Sequence, residues 1–307
     1  MMNYMSHASK MTGRRLPVVR ALLMMRNLLA LSALFSLCTV SYASAASNVI
    51  TPSIKTTIEL PLQGVTLEYK ANVRLLQVLE DANASFNANT SSNENASGSI
   101  GYFPLSAQLF DKTNTQASES NKAIEAKKRN VFNQLDAFSV EEPEANLVRQ
   151  QLASFQYLNR VFIELDRNAV ISQSDKNPLL VSSSRTNKPS ASQTQAFSLY
   201  LPQRPTSIQL MGAMKEPVTM NLIEHGTLND YLDALPNGFI GESADKSLAY
   251  VVQPDGVVQT IQYAYWNEQP VYLAPGAIVF MAFYSLPSEY STLNQDIVDL
   301  LRHKVGL

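Results

Sequence analysis

The stretch LAYVVQPDGVVQTIQ, residues 248–262, decides the reading of this chain. Two runs rich in β-branched and aromatic residues, 248–252 and 257–262, flank Pro254, Asp255 and Gly256, and that pattern predicts a β-hairpin. Working outward, residues 207–210 and 218–222 read as strands around Lys215, Glu216 and Pro217. Thr227 stands where a helix cap is wanted, before a short helix over 228–235. Beyond the hairpin, 271–273, then Pro275-Gly276, then 277–283 read as a turn into a final buried strand. Strand, strand, helix, strand, strand, strand is the order of a β-grasp (ubiquitin-like) domain, here at 205–285. The tail, 286–307, predicts an amphipathic helix, with Tyr290, Leu293, Ile297, Leu300 and Leu301 on one face and Asp296, Asp299, Arg302 and Lys304 on others.

Toward the N-terminus the same plan begins again. Residues 54–60 and 65–69 form a hairpin pattern joined at Gln63-Gly64, and Asn72 can cap a helix carrying Val73, Leu75, Leu76, Val78 and Leu79. Residues 81–99, rich in Asn, Ser and Ala, read as a loop, as do 182–195. Between them 107–158 reads as helical: Ile124, Val131, Leu135 and Phe138 share one face, and after Pro143 come Leu147, Leu152, Phe155 and Leu158. Strand signals return at 161–165, 169–172, 179–181 and 197–201, and Arg204-Pro205 marks a boundary. The expectation is an α+β protein of two tandem β-grasp domains. The first spans 46–204 with a helical-hairpin insert at about 107–158; the C-terminal amphipathic helix follows the second.

Composition narrows the function. The chain has 307 residues, 45% hydrophobic and 16% charged, with a net charge of −2, which argues against a nucleic-acid binder. Residues 1–45 carry Lys10, Arg14, Arg15, Arg20 and Arg26, no acidic residue, an apolar run over 28–40 and a small-residue end, Ala43-Ser44-Ala45. An apolar run of that length is short of the roughly 20 residues a spanning helix needs, so the segment reads as a cleaved signal peptide. Cleavage would leave 262 residues, 19 basic against 26 acidic, with no cysteine and two histidines, His225 and His303. That inventory excludes thiol chemistry and a three-histidine zinc site, and no cofactor is expected.

Several strings together resemble the GfcC/YjbG capsule-biosynthesis family. They are LMGA at 210–213, LAYVVQPDG at 248–256, YAYWN at 263–267, LAPGAIVF at 273–280 and LNQDIV at 293–298, with NRVFIELD at 159–166 following the helical insert. The family's aromatic, tryptophan-containing stretch before the insert is replaced here by residues 100–103. The resemblance implies a periplasmic protein of Gram-negative bacteria that serves assembly or export of surface polysaccharide. It implies two β-grasp domains akin to the periplasmic part of outer-membrane polysaccharide exporters (SLBB-like), and no established catalytic activity. It also carries over a pocket arginine onto Arg160, beside Asp166.

Each candidate residue has two readings. Arg160 either binds a carboxylate, phosphate or sugar acid in bidentate fashion or ties the insert to the sheet through Glu164, Asp166 or backbone carbonyls. Tyr263, Tyr265 and Trp266 either stack on sugar rings or pack a core. Asp230 and Asp233, one turn apart, are either a glycosidase-like pair or a solvated helix face. The tail helix either docks on its own domain or joins a partner. The expectation is a non-enzymatic accessory protein acting on an exporter or outer-membrane pore. The alternatives are a polysaccharide-binding module at Arg160 and, more weakly, a glycan-modifying enzyme.

Overall fold

The computed structural model describes residues 53–89, 101–113, 119–182 and 192–307. The leader read over 1–45, and residues 90–99 and 183–191 of the two loops, lie outside the described residues. In the first half, β1 (Ser53–Leu60) and β2 (Val65–Tyr69) pair antiparallel. Then come α1 (Leu75–Asn89), β3 (Gln108–Asp111), α2 (Glu119–Phe138), α3 (Glu144–Ala153), β4 (Asn159–Val161), α4 (Arg167–Ser172) and β5 (Ser192–Tyr200). The sheet order is β2-β1-β5-β3-β4, with β1 and β5 parallel and the other pairs antiparallel.

The second half repeats the plan with β6 (Ser207–Gly212), β7 (Val218–Asn221), α5 (Leu228–Asp233), β8 (Ala244–Val252), β9 (Val258–Gln262) and β10 (Ile278–Phe283). Its order is β7-β6-β10-β8-β9, with β6 and β10 parallel. In both sheets the last strand lies between the first and third and runs parallel to the first. The tail forms α6 (Leu293–Leu301). The described residues are thus mixed α+β, with two five-stranded sheets and six α-helices.

Burial explains the layers. Ile58, Leu60, Leu109, Phe197 and Leu199 of the first sheet pack with Leu75, Val78 and Leu79 of α1. β10 is buried along its whole length because it is covered on both faces. Val279 and Met281 pack with Leu228 and Tyr231 of α5, whereas Ile278, Phe280 and Ala282 join α2, α3 and α6 on the other side. The helical hairpin that leaves the first sheet between β3 and β4 therefore covers the second sheet.

Several elements depart from the sequence expectation. Gln108–Asp111 lies inside the stretch read as helical but forms β3; all four of its residues are buried, so no alternation marks it as a strand. Residues 81–89, read as loop, continue α1, which Val78, Leu79 and Ala82 anchor in the core. Asn72 does not cap that helix: its Oδ1 accepts from Gln195 Nε2 at 2.6 Å, and the Leu76 amide is met by Asn177 Oδ1 at 3.0 Å. Residues 169–172, read as strand, belong to α4, because the Asp166 side chain accepts from the Asn168 amide at 2.9 Å and caps a helix. Residues 271–273 pair with no strand, and Leu147 of α3 is exposed while Ala145, Val148, Gln151 and Leu152 face inward.

Candidate functional site

Arg160 sits in the middle of β4, an edge strand whose burial pattern turns that one side chain inward. It is 5% exposed. Its Nη2 donates to the Pro254 carbonyl at 2.6 Å, while Nη1, also buried, finds no hydrogen-bond partner among the described residues. Pro254 belongs to the β8–β9 turn, so the guanidinium bridges the edge of the first sheet to a hairpin of the second. Burial pulls the group below its ordinary value, to about 10; Asp255 opposes the shift and Arg302 adds to it. At neutral pH it remains a cation.

A second arginine holds the same turn. Arg302 Nε donates to the Gly256 carbonyl at 2.8 Å. The Phe162 ring lies against both cations, 4.5 Å from Arg302 Cζ and 5.5 Å from Arg160 Cζ, in the range of cation–π attraction. His303 packs edge-on against Phe162 at 5.5 Å, and its Nδ1 accepts from the Arg160 amide at 3.2 Å. Burial, reinforced by Lys127, Arg302 and Arg160, lowers His303 to about 4, so it stays neutral and remains an acceptor. Sequence reasoning missed Phe162, Arg302 and His303. Phe162 had a visible signal, an aromatic residue two positions after Arg160 in the run read as strand, although β4 ends at Val161.

Beside this knot opens a cleft of about 670 Å³, lined by Phe103, Arg160, Phe162, Glu164, Asp166 and Asp255 among others. Arg204 lies over the Phe103 ring, 5.4 Å from its centroid. Arg160 and Asp166 thus share one cleft, but Asp166 does not pair with the guanidinium; it caps α4. Glu164 accepts from the Asp166 amide at 3.1 Å and pairs with Lys176 at 3.2 Å, contacts that hold its carboxyl below the usual range, the amide first. Three carboxylates around one largely engaged cation make a poor trap for a polyanion. A carboxyl raised toward neutrality, which glycoside hydrolysis would need, is not what the contacts of Glu164 produce.

The other candidates separate. Tyr263 is buried and donates to the Asp245 carbonyl at 2.5 Å, whereas Tyr265 and Trp266 are exposed and meet edge-to-face at 4.9 Å. Asp230 accepts from the Thr227 amide at 2.6 Å and hydroxyl at 2.9 Å, which lowers its pKa; Asp233 is exposed on the same helix. On α6, Leu293, Ile297, Leu300 and Leu301 are fully buried; Tyr290, expected on the same helix, lies in the 3-10 turn before it and packs on the Phe138 ring at 5.2 Å. Among the described residues no cluster of His, Cys, Asp and Glu suits a metal ion, and no helix is long and apolar enough to cross a membrane.

Comparison with known proteins places this geometry. The chain is 28% identical over 162 residues to the uncharacterised protein YjbG of Escherichia coli strain K12, a match covering 52% of this chain and 60% of that protein. Residues 216–306 match the family described as capsule biosynthesis GfcC C-terminal. That segment contains the Pro254–Gly256 turn, Arg302, His303 and the exposed aromatic pair. Over this C-terminal region the chain thus resembles the GfcC/YjbG capsule-biosynthesis family.

Proposed function

We propose that the protein is an exported, non-catalytic accessory of capsule or exopolysaccharide assembly, acting in the periplasm through contacts with an exporter or an outer-membrane pore. The observation that carries this reading is the use made of the cleft arginine and of the second arginine behind it. Arg160 and Arg302 are both committed to backbone carbonyls of one turn, a mechanical role, where an enzyme would keep such groups facing substrate. The repeated 2-1-5-3-4 strand order supports two β-grasp units in tandem, joined by the helical hairpin. The residues at 1–45 supply the export step in this reading. Deletion of the gene should reduce surface polysaccharide, and cross-linking in the periplasm should recover an export component. Unchanged surface glycan, or recovery of glycan with no export component, would sink the proposal.

One observation favours a second reading. Arg160 Nη1 has no partner among the described residues and its side chain borders the cleft, so a small ligand could complete its hydrogen bonding. Saturable binding of an acidic oligosaccharide that Arg160→Lys weakens, with the fold intact, would establish it.

A further inference from the structure

We propose that Tyr265 and Trp266 form a platform that stacks on neutral sugar residues of a polysaccharide chain. The proposal rests on the capsule reading above and adds a site to it. Tyr265 is 90% exposed and Trp266 is 65% exposed, although the fold buries aromatic side chains readily elsewhere. Large aromatic side chains left in water do nothing for folding, so adjacent exposed ones ask for a ligand.

These side chains are held in place. The connection from β9 to β10 is fastened at its start, where the Tyr263 amide donates to the Ser247 carbonyl at 3.0 Å and its hydroxyl to the Asp245 carbonyl. It is fastened midway, where Gln269 donates to the Gln262 carbonyl at 3.0 Å. It is fastened near its end by the Gln253 side chain, which accepts from the Ala274 amide at 3.2 Å and donates to the Tyr272 carbonyl at 3.4 Å. The two rings then brace each other edge-to-face at 4.9 Å. A rigid, amphipathic aromatic surface binds at low entropic cost.

The surroundings choose the ligand. A sugar ring offers an apolar C–H face to an aromatic ring and hydroxyls at its rim. Next to the pair stand amides and one carboxylate: Asn267, whose Oδ1 is buried with no partner among the described residues, and Asn229, bonded to Glu268 at 2.8 Å. From Ser247 to Leu301 the sequence holds no lysine or arginine, and the single exposed lysine just before it, Lys246, stands beside Asp245. Neither a polyanionic glycan nor an anionic membrane surface would meet counter-charge from this stretch, whereas a neutral sugar needs none.

Trp266 is the one tryptophan of the chain, so its emission reports the site directly. The full chain would be titrated with dextran, mannohexaose and galactan, and separately with polysialic acid and with phosphatidylcholine–phosphatidylglycerol vesicles. A saturable emission change with at least one neutral glycan is expected, with little from polysialic acid or vesicles. Tyr265→Ala should weaken it roughly tenfold without moving the thermal midpoint. No response to any of the neutral glycans, a response confined to polysialic acid or vesicles, or a titration indifferent to Tyr265→Ala would each overturn the proposal. Failure of the deletion experiment above would remove the capsule reading and leave this titration standing, so the two are distinguishable.

Discussion

At Gly256 the backbone φ is +86°, and an added Cβ would lie 2.6 Å from Phe162 Cε1 and 3.4 Å from Arg160 Nη1. Backbone and neighbours therefore both demand glycine. Gly256→Ala should destabilise the protein by about 1–3 kcal/mol in urea unfolding. Removing the neighbour first, in Phe162→Ala, should recover the steric share of that loss and leave the share due to φ, a coupling that a double-mutant cycle reads. Arg160→Ala leaves the Pro254 carbonyl bereft of a charged donor and should cost about 1.5–3 kcal/mol. His303 adds a pH dependence whose sign is fixed. Above its ordinary 6.5 neither folded nor unfolded chain carries the proton, and stability is full. As pH falls from 6.5 toward the folded value of about 4, only the unfolded chain takes up the proton, and stability declines. His303→Gln should flatten that limb relative to the parent when unfolding midpoints at pH 7 and pH 4.5 are compared; an identical pH response in both proteins would show that the imidazole is not held neutral.

Elements differ in how openly the sequence announces them. The tail helix was legible because its apolar residues recur at helical spacing and its charges lie elsewhere. Its stripe is wider than that spacing suggested: Val298 is fully buried as well, since α6 lies between α2 and the second sheet and touches both. Leu300→Ala should therefore cost about 2–5 kcal/mol, as a deletion in a closed core does, and thermal unfolding would measure it. β3 was illegible for the opposite reason, being buried on both faces. The split between Tyr263 and Tyr265 was also hidden. A strand would have put both on one face, but β9 ends at Gln262 and the chain turns away. The docking of α3 was legible only in part, through Leu152, because the contact that fixes it on the second sheet is polar. Gln151 Oε1 accepts from the Gly212 amide at 2.9 Å and Nε2 donates to the Gly212 carbonyl at 3.2 Å, matching both backbone groups of a residue at φ +111°. Gln151→Leu strands both groups and should lower stability by about 2–4 kcal/mol, more than its change in apolar area would suggest.

The two sheets repeat one topology, and a cut near residue 205 looks like a natural division, yet the connections cross that line everywhere. α2 and α3 depart from the first sheet and cover Met211, Ile278 and Phe280 of the second. Glu144, at the start of α3, accepts from the Glu242 and Ser243 amides and from the Ser243 hydroxyl. The residues after α6 run back to the first half: Leu158 donates to the His303 carbonyl at 3.0 Å, Val305 donates to the Gln156 carbonyl at 2.9 Å, and the Gln108 side chain clasps Lys304 and Gly306. Arg160 and Arg302 close the same seam from either side. None of these links is an exposed ion pair that salt would loosen; they are apolar contacts and hydrogen bonds, nearly all of them to backbone. Each half has a core of its own, but a third core, under α2, α3 and α6, is built from both, so neither half keeps all of its buried surface alone. Calorimetry on residues 46–307 should show one transition whose calorimetric and van't Hoff enthalpies agree. Residues 205–307 expressed alone would expose the face that α2 and α3 cover, and should bind a hydrophobic dye and unfold without a cooperative transition. Two resolved transitions in the full chain, or a cooperatively folded fragment, would mean that the seam is a contact between independent domains. The shared arginine knot at Pro254 and Gly256 would then be a latch able to open, and no longer part of a single core.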